Sequence, residues 1–150
     1  MVEIKDRNGR VVSLNEDMTG MDFDSSNLQG VDFFGKSLEG ANFSDANLHC
    51  ANLAGCDLYW AVFFRATLTG ANLANAYLCG ANLEMSILTE ADLRGANLGV
   101  DELGGSTNLR GANLDRCKWE GATFECAEYD RATTFPEHFS PILSKMKFVE

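Results

Sequence analysis

Basic residues and long apolar runs are scarce in this sequence. Twelve lysines and arginines stand against 22 aspartates and glutamates, which gives a formal net charge of -10 and a pI near 4.6. This balance disfavours binding to nucleic acid or to an anionic membrane and favours cationic protein surfaces as partners. No apolar run approaches the roughly 18 residues of a membrane span, and residues 1–7 are too charged for a signal peptide. The sequence therefore predicts a soluble, cytoplasmic protein.

Motifs for catalysis and cofactor binding are also missing. The five cysteines include no C-x-x-C pair, which argues against a zinc site and a disulfide framework. The sequence has only two histidines, His49 and His138, and no phosphate-binding loop or dinucleotide fingerprint. His49 adjoins Cys50, but neighbours in a short strand point in opposite directions, so we expect two separate surface residues. We therefore expect no enzymatic activity, metal or cofactor.

What the sequence does contain is a strict period of five. From Met18 to Leu98, every fifth residue is Met, Leu or Phe. Two residues before each of these, from Ala41 to Ala96, stands a small residue, and the position between is mostly Asn or Asp. Five matches neither the 3.6-residue period of a helix nor the two-residue period of a flat strand.

This period indicates a chain that turns every five residues. The large and small apolar residues would point inward, and equivalent residues would stack about 4.8 Å apart, the spacing between hydrogen-bonded strands. Cys56 and Cys117 fall on small inward positions and are expected to be buried fillers. Asn and Asp suit the turns because their side chains can accept bonds from nearby backbone amides, and Gly tolerates the dihedral angles of the turns.

The repeated units resemble those of the pentapeptide-repeat family. Examples are Ala51-Asn52-Leu53-Ala54-Gly55, Ala71-Asn72-Leu73, Ala81-Asn82-Leu83 and Ala112-Asn113-Leu114. The resemblance covers about residues 16–132 and implies an all-β solenoid, a right-handed quadrilateral β-helix of about six coils. The four sides come from the family, since the period alone does not give them. A hexapeptide β-helix acyltransferase would need a period of six.

The regular repeat has two predicted caps and one interruption. Residues 1–15 form an N-terminal cap, where Val2, Ile4, Val11, Val12 and Leu14 flank an Asn-Gly turn and indicate a β-hairpin. Lys36 and Glu16 stand on nominally inward positions, so the first coil is less regular. Near residues 99–108 the apolar frame resumes one residue late, at Leu109, which predicts a loop that adds one residue or replaces a full side.

The C-terminal cap is predicted over residues 133–150. Ser140-Pro141 suits the start of a short helix. The apolar residues that follow it, Ile142, Leu143, Met146 and Phe148, could then cover the last coil.

Two outward surfaces are candidate interaction sites. Adding twenty to residue numbers places six acids on one side: Asp22, Asp24, Asp45, Glu84, Asp101 and Glu102. Arg65 is the one cation expected among them. The second surface is an apolar patch of Tyr59, Trp60, Val62, Phe64 and Tyr77. Trp and Tyr are common at interface centres. Both surfaces also have a plainer interpretation, in which the acids serve the corners and solubility and the aromatics lie flat on neighbouring coils.

Two functions follow. The first is a non-enzymatic protein-interaction or assembly scaffold with an unidentified partner. The second, implied by acidic members of the family, is a DNA mimic that binds a type II topoisomerase, DNA gyrase. A rod of roughly 29 Å would replace DNA that carries roughly 17 phosphates. Because a net charge of -10 falls short of that, the mimic would need to be a homodimer, joined through its apolar C-terminal segment.

Overall fold

The computed structural model describes residues 4–5, 8–13, 15 and 17–150 of the chain. Val2 and Leu14 of the predicted N-terminal cap, and Glu16 of the predicted first coil, lie outside the described residues. In the part that is described, no helix is long and apolar enough to span a membrane.

The chain winds into coils of twenty residues. Asp22 forms a parallel bridge with Asn42, twenty residues on, and similar bridges recur every five residues, so each coil has four sides. Side 1 carries the bridge residues Asp22, Asn42, Val62, Asn82, Asn108 and Glu128, which form six rungs. Side 2 carries Asn27, Asn47, Thr67 and Ile87; side 3 carries Asp32, Asn52, Asn72 and Asp92; side 4 carries Ser37, Asp57, Tyr77 and Asn97.

Stacked apolar side chains fill the axis of the rod. On side 1, Phe43 stacks on Phe23 and on Phe63, with ring centroids 5.2 and 5.0 Å apart and nearly parallel planes. The small residues alternate with this ladder, and Ala41 and Ala61 are fully buried. Large residues alone would not fit at every inward position of so narrow a coil, so the large–small alternation gives close packing.

Asparagine and aspartate side chains brace the turns. Asn72 Oδ1 accepts the backbone N–H of Ala74 at 3.1 Å, while Asn72 Nδ2 donates to Asn52 Oδ1 at 3.2 Å on the rung before. The backbone takes a positive φ three residues after Asn72, at Asn75, and three residues after Asp57, at Trp60. Each bond satisfies a polar group that the turn would otherwise leave unpaired.

Short strands lie at the two ends of the chain. At the N-terminus, β1 (Ile4–Lys5) pairs antiparallel with β2 (Val11–Val12), and Ile4 and Val12 are buried. At the C-terminus, β3 (Glu128–Tyr129) pairs parallel with β4 (Lys147–Phe148) and so adds one more rung to side 1.

The predicted C-terminal helix is wrong, because residues 133–150 contain only one helical turn. The N–H of Ser144 donates to the Ser140 carbonyl, and the N–H of Met146 donates to that of Pro141. Lys145 then takes a φ of +54°, which ends the turn as a left-handed helix cap does. The backbone of β4 next bonds to β3, so the ladder extends the sheet where the sequence predicts more helix.

Aromatic residues cover the last coil in place of that helix. Phe139 packs edge-on against Trp119 and Phe124, with ring centroids 5.1 and 5.0 Å apart. Ile142 and Leu143, which were expected to cover this coil, are 81% and 85% exposed.

The interruption of the repeat is a loop that leaves at one corner. Asn82 and Asn108 are bridged although they lie 26 residues apart, so this coil is six residues longer than the twenty-residue coils. Those six residues equal one five-residue side plus one residue. Thr107 takes the buried inward position, where its hydroxyl donates to the Leu78 carbonyl at 2.7 Å. Leu103, which stays on the five-residue grid in the sequence, is 82% exposed.

Candidate functional site

The predicted aromatic patch divides between two sides of the rod. Tyr59 and Tyr77 belong to side 4, and Trp60 stands at the corner where side 4 turns into side 1. Val62 and Phe64 follow on side 1, beyond that corner. Tyr77 is 59% exposed and Trp60 is 50% exposed, whereas the other three are half-buried.

Trp60 is seated on glycines of two other chain segments. A β-carbon on Gly80, one coil further on, would lie 3.1 Å from the indole ring. A β-carbon on Gly105, in the inserted loop, would lie 2.8 Å from Cζ2 of Trp60. Both positions therefore need glycine for the ring to lie flat. Tyr59 meets the same indole edge-to-face, with centroids 5.8 Å apart, so the two aromatic side chains hold each other in place.

A groove of about 540 Å³ runs along side 4 next to these aromatics. The Tyr59 and Tyr77 side chains line it together with Asp57 and Glu39. Gly35 and Gly55 line it at the corner between sides 3 and 4, where the absence of side chains leaves the space open. The remaining lining residues are Lys36, Ser37 and Cys79. The groove has the volume of an ordinary ligand-binding cleft.

The groove and most of its lining were not predicted from the sequence. Glu39, Tyr59 and Cys79 lie twenty residues apart in turn, so adding twenty to residue numbers brings them together. The shape of the groove is harder to predict. It depends on Gly35 and Gly55, which occupy the same corner on successive rungs. It also depends on Cys79, which is buried although its repeat position faces outward.

Four of the six predicted acids do share side 1. Asp22, Asp24 and Glu84 lie on its rungs, and Asp45 stands at the corner where side 1 turns into side 2. Asp45 and Glu84 are paired with arginines: Arg65 Nε is 3.1 Å from Asp45, and an Arg110 guanidinium nitrogen is 3.2 Å from Glu84. Arg110 was not expected there, and it reaches this side because the inserted loop shifts the frame. Side 1 is therefore a mixed ionic surface.

Asp101 and Glu102 do not lie on side 1, which corrects the prediction. They belong to the inserted loop, because Thr107 and Asn108 take the positions that twenty-residue addition gave them. Asp101 organises this loop: its Oδ1 accepts the backbone N–H groups of Leu103 and Gly105, both at 2.9 Å. The carboxylate thereby holds Gly105 against Trp60.

Among the described residues, no three or more His, Cys, Asp or Glu side chains form a group that could hold a metal ion. His49 Nε2 lies 3.4 Å from Cys50 Sγ, so the expectation that the two side chains point in opposite directions is wrong. Cys50 has a positive φ, and the turn presents both side chains to solvent. Burial raises the pKa of the Cys56 thiol to about 11 and that of Cys117 to about 12. Both thiols are therefore protonated at neutral pH and serve as apolar filling.

Comparisons with known proteins place the repeat among related sequences. The model for pentapeptide repeats, in eight copies, matches residues 26–63 and 61–99. The pentapeptide repeat protein Rfr23 from the cyanobacterium Cyanothece 51142 is 31% identical; the match covers 74% of this chain and 88% of that protein, with a TM-score of 0.64. No curated protein sequence matches significantly.

Two further solved structures share the architecture. A pentapeptide repeat protein from the thylakoid lumen of Arabidopsis thaliana is 31% identical, with 71% of this chain and 67% of that one covered and a TM-score of 0.50. A trypsin-treated form of QnrB1, a plasmid-mediated fluoroquinolone resistance protein, is 20% identical, with 88% and 84% covered and a TM-score of 0.57. These likenesses identify the solenoid as a right-handed β-helix, and none indicates a catalytic family.

Proposed function

Because the chain belongs to the pentapeptide-repeat family, we propose that it is a non-enzymatic interaction scaffold that binds a partner protein through one corner of the rod. We define the side-4 surface as Tyr59, Trp60 and Tyr77 together with the groove beside them. The observation that carries the proposal is that the exposed Trp60 and its half-buried neighbour Tyr59 are held in place before any partner binds.

Pre-positioned aromatics are effective in binding for a physical reason. Tyr and Trp offer large contact areas with few rotatable bonds, and little conformational entropy is lost when they are already fixed. Trp60 rests on Gly80 and Gly105, and Tyr59 packs against Trp60. A stack of coils beneath them prevents the surface from collapsing.

Tyr77→Ala tests the proposal most directly. Tyr77 is exposed and lies outside the buried core cluster, so the loss of its side chain should leave the fold intact. We expect a partner captured from an extract of the native organism by the wild-type protein to be lost with Tyr77→Ala. Trp60→Ala is less specific, because it also removes the indole ring against which Gly105 of the inserted loop packs.

Phe34→Ala supplies the matched control. Phe34 is 66% exposed and lies on side 3, outside the side-4 surface. The same partner should be retained by this variant, measured by quantitative mass spectrometry. Equal retention by both variants, with unchanged circular dichroism, would contradict the assignment of side 4.

The DNA mimic is the second candidate, and the four acids that share side 1 favour it. In that case the partner would be DNA gyrase. Self-association through the C-terminal end, where Ile142 and Leu143 are exposed, would supply the required length as a homodimer. The Arg65 and Arg110 ion pairs weigh against this candidate, because they break the line of negative charge that would imitate phosphates.

A further inference from the structure

We propose that the groove on side 4 binds an arginine side chain, so that the partner's docking segment is a basic peptide. This inference rests on the proposed interaction surface and specifies the chemistry of its ligand. The evidence lies in the combination of two tyrosines with two carboxylates in one cleft.

The carboxylates of the groove are available to a cation. Within residues 17–150, neither Glu39 nor Asp57 forms a salt bridge. Asp57 is nevertheless held in position, because its Oδ1 accepts the backbone N–H of Tyr59 at 3.2 Å. Its Oδ2 can therefore receive a bond from a ligand without loss of an existing bond.

The tyrosines stand within reach of those carboxylates. Tyr77 is bridged to Asp57 and so lies one rung above it, at a separation of about 4.8 Å along the rod. Tyr59 follows Asp57 on the same rung. A cation over either ring therefore gains attraction from the ring and from the carboxylate at the same time.

Arginine fits this arrangement better than lysine. A guanidinium group is planar, stacks on aromatic rings and can form two parallel bonds to one carboxylate. An ammonium group is more strongly hydrated and loses more on entering a cleft that is partly apolar. The protein's net charge of -10 would also attract a basic segment over longer distances.

Substitution of Lys36 tests whether the ligand of the groove is positively charged. Lys36 is half-buried, and among the described residues that line the groove it is the one cation. Lys36→Met preserves the apolar stem and removes the positive charge. A cationic ligand should therefore bind this variant more tightly than the wild type, whereas an anionic ligand should bind it more weakly.

Titration of the ¹⁵N-labelled protein with a Gly-Arg repeat peptide, followed by NMR, gives the main readout. We expect shifts concentrated at the amides of Glu39, Asp57 and Tyr77 and at the indole N–H of Trp60. The matched peptide with citrulline in place of arginine keeps the shape without the charge and should bind at least about tenfold more weakly, as expected for charge-assisted bonds.

Three variants then locate the binding. Asp57→Asn keeps the acceptor for Tyr59, and we expect it and Tyr77→Ala each to weaken the arginine peptide by about fivefold. Glu120→Gln makes the same charge change at an exposed position on side 3 and should leave the affinity unchanged. Equal effects of Asp57→Asn and Glu120→Gln, or equal binding of the citrulline peptide, would overturn the proposal.

The outcome remains separable from that of the proposed function. A partner that is lost with Tyr77→Ala but unaffected by Asp57→Asn and Lys36→Met would keep side 4 as the interaction surface and refute the arginine ligand. Specific binding of the arginine peptide to the groove, with no loss of the native partner in Tyr77→Ala, would support the ligand and refute the proposed function.

Discussion

Individual residues contribute to the rod in two different ways, as Leu73 and Asn72 illustrate. Leu73 is fully buried and fills the axis between neighbouring coils. Asn72 lies at the surface of the same rung and links the turn to the coil before it. The first contribution is packing, and the second is a pair of hydrogen bonds in a partly hydrated position.

Leu73→Ala should therefore be more damaging than Asn72→Ala. We expect Leu73→Ala to lower the free energy of unfolding by about 2 to 5 kcal/mol, because the rigid coils above and below cannot close the cavity. Asn72→Ala should cost about 1 kcal/mol, since water can replace part of its bonding. Urea melts of the two variants would test the order, and equal losses would contradict it.

The residue pattern predicts the coil well and the surface less well. The alternation of Ala and Leu around Asn72 gives the inward positions, and the addition of twenty residues brings Tyr77 over Asp57. The same addition fails for Asp101, because the coil from Asn82 to Asn108 contains six extra residues and Asp101 lies in the loop that they form. Side-chain packing at Cys79 and the opening over Gly55 arise only in three dimensions.

The inserted loop is the element that completes the side-4 surface. The carboxylate of Asp101 accepts hydrogen bonds from two backbone N–H groups of this loop and so positions Gly105 against Trp60. The apolar side chains of the loop, Val100 and Leu103, are exposed, so its conformation depends strongly on those bonds. Loss of the two hydrogen bonds to Asp101 should therefore release the loop without affecting the stacked coils.

Asp101→Ala should expose more of the Trp60 indole to water. We expect a red shift of tryptophan emission and faster quenching by acrylamide, measured in a Trp119→Phe background so that Trp60 alone reports. Asp101→Asn retains the Oδ1 acceptor and is the matched control, which should behave like the parent. A change in both variants, or in neither, would show that the Oδ1 bonds do not hold the loop.

The C-terminal element shows why local signals mislead in this fold. Ser140 and Pro141 begin a helical turn as the sequence predicts, and Lys145 ends it. The parallel ladder offered by β3 then determines the path of the chain. In a solenoid, each exposed edge can recruit the next available segment, and this long-range pairing competes with helix propensity.

At the scale of the whole molecule, charge distribution separates the two candidate functions. The acids on side 1 alternate with Arg65 and Arg110, and the acids of the groove on side 4 lie beside tyrosines. A DNA mimic needs an extended row of like charge, whereas a peptide-binding surface needs a few charges next to apolar area.

We therefore predict little or no inhibition of gyrase supercoiling by the purified protein at about 0.15 M salt, where the Debye length is near 8 Å. Sedimentation equilibrium on the same sample should establish whether it is a dimer, so that a negative result applies to the assembled form. Inhibition that disappears in the Asp45→Lys, Glu84→Lys double variant, with folding preserved, would instead support the mimic.

Because Trp60 packs on both Gly80 and Gly105, completion of the side-4 surface depends on the order in which the chain is synthesised. Residues 60 and 80 can stack as soon as their two coils have formed, but Gly105 reaches the indole only after the chain has continued past the inserted loop. Coils of a solenoid can fold one after another from the N-terminus as the ribosome releases them. The side-4 surface is thus completed late, so a partner that requires the seated indole would distinguish a finished rod from a truncated nascent chain.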